Sequence, residues 1–393
     1  ITTENQMKNK FVYILAFSHL CCDINQGALV AILPFLIASY HYDYTTAASL
    51  VMVSNIVGSL IQPVFGSLAD KKNTPYIFPL GLILAGGGIA LSGVAPSFAV
   101  LCAVVMITGF GVAMFHPQAA RAINKCSNPH NKAQNIGIFS FGGILGFSLG
   151  PLFMTAIISA FGLKGTLIFI IPQICVSIVY KIFYAEFKKL GEITPKTATS
   201  TQTNGVDDWG GFYKLMALIC GRSIIFHGFN TFLALYFIYE FDQSKAYANT
   251  VLSAYIGVSA IFTLLGGKFA DKFGFTKMIK ISFLCLLPIM ILFVATQNLG
   301  FAVVLLAPLG IFLALSYSPI IALGQGYLPN RVGLASGVTF GLTVSIGGIF
   351  APILGLIADK FGLSYVFYTL CGVCVLPLIM AFFLPNLEKR QSL

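Results

Sequence analysis

Long apolar stretches recur along the whole chain, and short polar segments separate them. A helix that crosses a membrane needs about 20 mostly apolar residues, and most of these stretches reach that length. The pattern predicts twelve such helices, with bounds near residues 11–39, 46–70, 75–95, 98–124, 131–160, 163–187, 211–240, 246–271, 275–296, 299–325, 331–358 and 363–385. The hydrophobic pattern therefore predicts an all-α integral membrane protein.

The first of these helices carries an unusual polar stripe. His19, Asp23 and Gln26 follow an i, i+4, i+7 spacing, so they share one face of the helix. Among the 13 acidic residues of the chain, Asp23 is the one that lies well inside a long apolar stretch. A carboxylate at that depth costs at least about 2.5 kcal/mol. Asp23 is therefore expected to face other protein groups or a water-filled cavity.

Composition and charge support the membrane class. Hydrophobic residues make up 57% of the chain, charged residues make up 9%, and the mean hydropathy is +0.87. The formal net charge is +10. The Lys and Arg residues lie on the side of both termini, except for Lys164, Lys245 and Lys360 opposite and Arg222 inside the bilayer. By the positive-inside rule, we expect a multi-pass protein of the cell inner membrane with cytoplasmic termini and no nucleic-acid partner.

Internal repetition divides the chain into two halves. Three landmarks recur with nearly the same offset: Asp70 with Asp271, Pro151 with Pro352, and Phe115-His116-Pro117 with Tyr317-Ser318-Pro319. The first two pairs are separated by 201 residues and the third by 202. This register predicts two pseudo-symmetric bundles of six helices, residues 1–187 and 211–393, joined by a polar cytoplasmic linker at residues 188–210.

These motifs resemble those of the major facilitator superfamily. The most specific one is the loop after the second helix, Gly66-Ser67-Leu68-Ala69-Asp70-Lys71-Lys72, and a looser copy ends the eighth helix. Within the superfamily, the chain is most similar to the fosmidomycin-resistance transporters. The matching stretches are Ser18-His19-Leu20, Gln62-Pro63, Phe115-His116-Pro117, Gly150-Pro151, Leu328-Pro329 and Gly355-Leu356-Ile357-Ala358-Asp359. The resemblance implies the major facilitator fold, alternating access and proton-driven export of small anionic or drug-like molecules, fosmidomycin being a phosphonate.

Six residues are predicted to act in gating: Asp70, Asp271, Gly150, Pro151, Arg121 and Arg331. An Asp at an inner helix end can pair with a basic group or a helix N-terminus when the bundle closes. The two Arg residues lie at cytoplasmic helix ends, where they would contact either the gate or lipid headgroups. The Gly-Pro pair gives a bendable point in a tightly packed helix.

The Gly-Pro pair belongs to Gly146-x-x-x-Gly150-Pro151, which resembles the antiporter signature of the superfamily. The fourth helix departs from the antiporter pattern. Met106 stands where that pattern has an Arg three residues before its first glycine. Proton coupling must therefore use other groups or be absent.

The remaining intramembrane polar residues form the predicted substrate and proton sites. The substrate-binding candidates are Arg222, His227, Asn230, His116 and Gln26. Arg222 is expected to bind an anionic group, because a guanidinium matches phosphonate or carboxylate oxygens in a bidentate manner. Asp23 is the predicted proton-coupling group, and His19 tunes it. Substrate arrival at Arg222 would remove a partner from Asp23 and promote proton uptake.

Several alternatives stay open at this stage. Asp23 could serve only to hold the first helix against the seventh, and His116 could bond a carbonyl freed by Pro117. The spacing of the His and Asp residues matches no standard metal-binding pattern, so we expect no metal site.

The kind of transport also stays open. An importer or exchanger of a carboxylate metabolite or siderophore, or a membrane sensor that binds ligand without moving it, would share these features. No enzyme motif and no phosphate-cradling P-loop is present in the sequence, so we expect no enzyme, no cofactor and a proton gradient as the energy source. The expected partners are a small-molecule substrate and the lipid bilayer, and we expect a monomer.

Overall fold

All regular secondary structure in the described part of the chain is helical. The computed structural model describes residues 2–71, 76–127, 132–187 and 206–386. The α-helices are α1 (Thr2–Tyr40), α2 (Tyr44–Lys71), α3 (Ile77–Ser92), α4 (Phe98–Cys126), α5 (Lys132–Phe161), α6 (Ile170–Ile182), α7 (Trp209–Tyr239), α8 (Lys245–Phe273), α9 (Phe275–Ala295), α10 (Leu299–Leu315), α11 (Tyr317–Tyr327), α12 (Val332–Phe361) and α13 (Leu363–Phe383). Short 3₁₀ helices span Leu163–Phe169 and Pro329–Arg331.

The helices have the length and composition of membrane spans. Within the described ranges, 11 spans are long and apolar enough to cross a membrane, with α10 and α11 taken as one. The α3 helix is apolar but shorter. The predicted class, an all-helical multi-pass membrane protein, is confirmed.

The helices differ from three of the predicted crossings in extent or continuity. The apolar span of α1, Lys10–Tyr40, agrees with the predicted crossing, but the helix itself begins at Thr2, since no Gly or Pro in the preceding polar segment interrupts it. The sixth crossing is not one α-helix over 163–187, because it begins with the 3₁₀ turn at Leu163–Phe169. In that turn the Thr166 hydroxyl donates to the Ala90 carbonyl and so ties the segment to α3. The tenth crossing is not continuous over 299–325 but is interrupted at Ser316.

Internal contacts divide the chain into two compact units. The first unit contains residues 1–39 and 53–199, and the second contains residues 40–52 and 200–393. The first turns of α2 therefore cluster with the second unit, while the remainder of α2 clusters with the first. The predicted division at residues 1–187, 188–210 and 211–393 stays a prediction, and most of that linker lies outside the described residues.

In the first unit, glycines on α5 let its backbone approach α1 closely. A Cβ on Gly142 or Gly146 would overlap the backbone carbonyl oxygens of Ala16 and Leu20. A Cβ on Gly150 would lie 2.6 Å from the Ala28 nitrogen and the Ile24 carbonyl oxygen of α1. Helix backbones can pack this closely only where small residues line the interface. This packing is what brings the polar stripe of α1 next to α5.

The second unit repeats this device between α7 and α12. A Cβ on Gly347 would overlap the His227 ring and the Ser223 carbonyl oxygen. The Ser223 hydroxyl donates to the Thr343 carbonyl over 2.6 Å, and the Gly347 N–H donates to the Ser223 hydroxyl over 2.9 Å. The polar face of α7 is thereby fixed against α12.

Candidate functional site

The central polar cluster of the first unit joins α1 to α4. His19 Nε2 lies 3.1 Å from Asp23 Oδ2, and His116 Nε2 lies 3.1 Å from Asp23 Oδ1. The side chains of His19, Asp23 and His116 are 13%, 15% and 23% exposed, respectively. Asp23 is therefore held between two imidazole rings in a mostly buried position. We call these three side chains the Asp23 cluster.

Neighbouring groups fix the orientation of the Asp23 cluster. His19 Nδ1 lies 2.9 Å from the Phe139 carbonyl oxygen, and the His19 ring stacks on the Phe139 ring with a centroid distance of 4.2 Å. The Gln26 amide donates to Asp23 Oδ1 over 2.8 Å. On α5, a Cβ at Gly143 would overlap the His19 ring and lie 2.8 Å from Asp23 Oδ2. The cluster exists because a glycine leaves room for it.

The hydrogen-bond pattern determines how many protons the His19–Asp23 pair holds. A carbonyl oxygen only accepts, so His19 Nδ1 must carry a hydrogen and donate to Phe139. A hydrogen bond between His19 Nε2 and Asp23 Oδ2 then needs a second proton, on either the imidazole or the carboxyl group. When one proton lies between Nε2 and Oδ2, the pair is neutral overall. Loss of that proton would leave a net negative charge in an apolar span, which costs at least about 2.5 kcal/mol.

The same three residues bring together atoms that could ligate a metal. The His19, Asp23 and His116 ligand atoms all lie within 4.8 Å of one another, and this is the one such group in the described ranges. Two imidazoles and one carboxylate form a donor set that suits divalent transition metals. Sequence spacing did not reveal the group, because His116 lies on α4, far along the sequence from His19 and Asp23. The expected absence of a metal stays a prediction.

The central charge of the second unit is Arg222 on α7, which is only 5% exposed. Its Nε donates to the Ser316 hydroxyl over 3.0 Å, and its Nη2 donates to the Leu313 carbonyl over 3.1 Å. The guanidinium carbon lies 5.0 Å from the centre of the Tyr317 ring. Among the residues that the structure describes, no carboxylate forms an ion pair with Arg222. The positive charge is thus held by neutral groups.

The other predicted substrate-binding residues divide between the two units. His227 and Asn230 lie on α7 after Arg222, and the Asn230 amide nitrogen donates to the Phe226 carbonyl over 2.7 Å. The Asn230 carbonyl oxygen is buried without a hydrogen-bond partner. His116 and Gln26 instead bind Asp23. The alternative role for His116, bonding a carbonyl freed by Pro117, does not explain this contact, because its Nε2 meets the carboxylate.

The predicted gating residues are only partly described. The Asp70 side chain lies outside the described residues, and Asp271 is exposed. Arg121 is half-buried near the end of α4. Arg331 is 59% exposed, lies 3.6 Å from the Asp207 carboxylate and packs over the Trp209 ring. The gating roles of these residues stay predictions.

Sequence reasoning assigned no role to Asp359, although it is a well-bonded polar residue of the second unit. The carboxylate accepts hydrogen bonds from Tyr44 N over 2.7 Å, Thr45 N over 2.9 Å and the Thr45 hydroxyl over 2.5 Å. These amides belong to the first turn of α2, whose N–H groups have no partner within the helix. The helix dipole also favours a negative charge there. A Cβ on Gly355 would lie 2.7 Å from Thr45 Cα, so the close approach needs glycine.

A signal for this contact was present in the sequence. Gly355-Leu356-Ile357-Ala358-Asp359 repeats the Gly-x-x-Ala-Asp pattern of the loop after the second helix, Gly66-Ser67-Leu68-Ala69-Asp70. Both copies place an Asp near the end of a helix, directly after an alanine. The pattern identifies an Asp suited to capping another helix but does not identify which helix it caps.

The fold and the two buried charges define a class: a multi-pass helical membrane protein with a polar centre in each of its two units, as in membrane transporters. Comparison with known proteins gives the family. The profile described as Major Facilitator Superfamily matches residues 15–352 and again 215–393. The chain belongs to the major facilitator superfamily, and it is a transporter by fold and relatives, not an enzyme.

Individual relatives agree with this family. The fosmidomycin resistance protein of Escherichia coli strain K12 is 28% identical over 99% of this chain and 96% of its own length. An uncharacterized MFS-type transporter of Bacillus subtilis is 30% identical over 96% of this chain and 93% of its own. A bacterial homologue of the human lysosomal transporter Spinster has a TM-score of 0.75 at 17% identity, covering 96% of this chain and 94% of the homologue. That similarity shows the fold alone.

The space provided by Gly143 can be tested directly. We expect Gly143→Ala to displace His19 from Asp23 and to destabilise the protein by about 1–3 kcal/mol, because the added methyl group has no room. Gly137→Ala is the matched control. Gly137 lies on the same helix, and a Cβ there would meet nothing within 4 Å. Thermal melting in detergent measures the difference. Equal melting temperatures for both variants would show that the glycine is not needed for packing.

The Asp359 cap can be tested by amide exchange. Asp359→Asn removes the charge and one acceptor oxygen, so we expect exchange at Tyr44 and Thr45 to become at least about tenfold faster. Asp43→Asn is the control. Asp43 caps the same helix by accepting from Thr46 N over 2.7 Å, and Asn caps helices as well as Asp does. Similar exchange in both variants would contradict the proposed strength of the Asp359 contact.

Proposed function

We propose that the chain is a secondary active transporter that uses the proton gradient to export a small anionic or drug-like molecule, with phosphonates as the model class. Membership of the superfamily and the similarity to a protein named for fosmidomycin resistance support export of such molecules. The proposal includes a monomer in the inner membrane with both termini in the cytoplasm. It needs no bound cofactor, because the proton gradient supplies the energy.

The observation that carries this proposal is the placement of the His19 ring between a backbone carbonyl and the Asp23 carboxylate. Both ring nitrogens of His19 face acceptors, at the Phe139 carbonyl and at Asp23 Oδ2. A site whose geometry depends on one proton is suited to take up and release that proton during a transport cycle. His116 and the Gln26 amide hold the carboxylate in place while the proton moves. This arrangement supplies a coupling group without an Arg at the position of Met106.

Arg222 supports the anionic class of substrate. A guanidinium that is buried among neutral groups keeps an uncompensated positive charge, which an anionic ligand would neutralise. The planar fork of the guanidinium can bind two oxygens of a phosphonate at once. Asn230 lies two helical turns further along α7 with an unbonded carbonyl oxygen, so it could accept from a hydroxyl or N–H group of the ligand.

The direct exchange between Asp23 and Arg222 that we predicted from sequence stays a prediction. In the structure, Asp23 is bound by His19, His116 and Gln26 of its own unit. Arg222 is bound by Ser316 and Leu313 of its own unit. Each charge is therefore stabilised independently, and coupling requires only that substrate and proton favour different states of the transporter.

Asp23→Asn tests the coupling role. Asn resembles the protonated acid, so we expect the variant to bind substrate and to exchange it between equal solutions. We also expect the variant to lose accumulation driven by a pH gradient, because it cannot release a proton. Flux of fosmidomycin in proteoliposomes, with and without a pH gradient, measures both activities. A variant that still concentrates the substrate would remove Asp23 from the coupling mechanism.

Matched controls separate this role from the alternatives. Asp242→Asn changes an exposed acid in a loop and should leave uphill transport intact. A chelator should not change transport by the wild-type protein, and inhibition would indicate that the Asp23 cluster holds a metal ion. Wild-type protein that binds the compound without moving it would indicate a sensor. A carboxylate that is moved instead of a phosphonate would indicate the carboxylate alternative.

Arg222→Lys tests the substrate site. Lysine keeps the positive charge, but its single ammonium nitrogen cannot bind two oxygens through a planar fork as a guanidinium does. We expect fosmidomycin affinity to fall at least about tenfold, as for the loss of a charge-assisted hydrogen bond. Equilibrium binding of fosmidomycin in detergent is the measurement. Normal affinity in the lysine variant would limit Arg222 to the role of a point charge.

A further inference from the structure

The tenth crossing is interrupted at the level of Arg222. The α10 helix ends at Leu315, the α11 helix begins at Tyr317, and the Ser316 N–H turns back to the Ala314 carbonyl. Pro319 has no N–H to donate, so the helical hydrogen-bond ladder has a gap on the α11 side as well. The ladder resumes where Ile320 N donates to the Ser316 carbonyl over 3.2 Å. The interruption is thus a site where backbone carbonyls can accept hydrogen bonds from side chains.

Arg222 fills this gap from α7. In a regular helix the Leu313 carbonyl would accept from the backbone N–H four residues later. Here it accepts from Arg222 Nη2 over 3.1 Å and from the Ser316 hydroxyl over 2.8 Å. The Ser316 hydroxyl oxygen in turn accepts from Arg222 Nε over 3.0 Å. Side chains inserted into the backbone ladder are a recognised cause of helix kinks.

The guanidinium uses one whole edge for these contacts. Nε and Nη2 form one of the two edges through which Arg can bind an anion with two parallel hydrogen bonds. Both partners on that edge are neutral groups of the tenth crossing. Hydrogen bonds to an anionic oxygen are roughly twice as strong as those to neutral acceptors. An anion that takes this edge would therefore displace Ser316 and Leu313.

We propose that Arg222 clamps the interruption in the tenth crossing, and that an anionic substrate releases the clamp by taking the Nε–Nη2 edge. The inference rests on the proposed function, because it assumes that Arg222 is the anion receptor. Substrate binding and release of the α10–α11 joint are then one event. After release, the Leu313 carbonyl no longer accepts a hydrogen bond from Arg222 on α7. The angle between α10 and α11 can then change. The clamp links occupancy of the site to helix movement.

Ser316 is a positioning residue in this scheme. It holds the guanidinium edge against the joint and does not itself contact substrate. Removing its hydroxyl should weaken the clamp while leaving the Leu313 carbonyl available. The fraction of protein whose Arg222 is free to bind an anion then rises, and the apparent affinity rises with it. A direct ligand contact at Ser316 would have the opposite effect, since its loss would lower the affinity.

The experiment compares Ser316→Ala with Ser318→Ala. Ser318 lies two residues further along, and its hydroxyl donates to the Thr263 carbonyl on α8 and not to Arg222 or Leu313. Equilibrium binding in detergent uses fosmidomycin and inorganic phosphate as probes. Hydrogen exchange of peptides covering 310–323 reports the state of the joint. We expect Ser316→Ala to bind the probes about threefold to tenfold more tightly and to exchange about tenfold faster without ligand. Ser318→Ala should match the wild type in both measurements.

The outcomes separate this inference from the proposed function. Probe binding to the wild type should also speed exchange over the joint, and this increase should be smaller in Ser316→Ala. If the wild type binds the probes but Ser316→Ala is not tighter, the anion uses the other edge of the guanidinium and the clamp proposal is wrong. Unchanged exchange in unliganded Ser316→Ala would also overturn it. If neither probe binds the wild type, both the anionic substrate class and the clamp proposal fail.

Discussion

The cost of placing a charge inside an apolar span is the constraint on which both polar centres depend. A carboxylate or guanidinium at that depth is tolerated only when nearby groups neutralise it or satisfy its hydrogen bonds. Asp23 lies between His19 and His116, and a proton shared with His19 would neutralise it. Arg222 forms no ion pair with a carboxylate within the described residues, and its hydrogen bonds go to neutral acceptors. The first centre therefore has titratable partners for its charge, whereas the second keeps its positive charge among neutral groups.

The two centres use related positions of the repeat. In the first unit, the charge on α1 meets α4 next to Pro117, through His116. In the second unit, the charge on α7 meets the tenth crossing near Pro319, through Ser316. A proline removes one backbone donor and leaves a carbonyl without its usual partner, so its neighbourhood accepts polar side chains more readily. The prolines repeat along the sequence, and the opposite charges placed beside them give the two units different chemistry.

Much of this could be predicted from sequence, because periodicity and repetition are local signals. The spacing of His19, Asp23 and Gln26 predicted a shared helix face, and all three groups meet there. Long-range pairings were harder to predict. The cap that Asp359 places on α2 joins residues 315 positions apart, and nothing local to either end identifies the partner. The interruption at Ser316 was also missed, because hydropathy stays high through it and the residue that maintains it lies on α7.

Glycine explains why these polar groups can be both buried and well oriented. Gly143 on α5 leaves room for the His19 ring and the Asp23 carboxylate, and Gly347 on α12 leaves room for His227 in the second unit. A methyl group at either position would fill the space that a polar side chain occupies. In a mostly buried site, the low local dielectric strengthens each hydrogen bond. The same glycines that pack the helices therefore set the electrostatics of the sites. Substitutions at these positions should change function even where the helices still assemble.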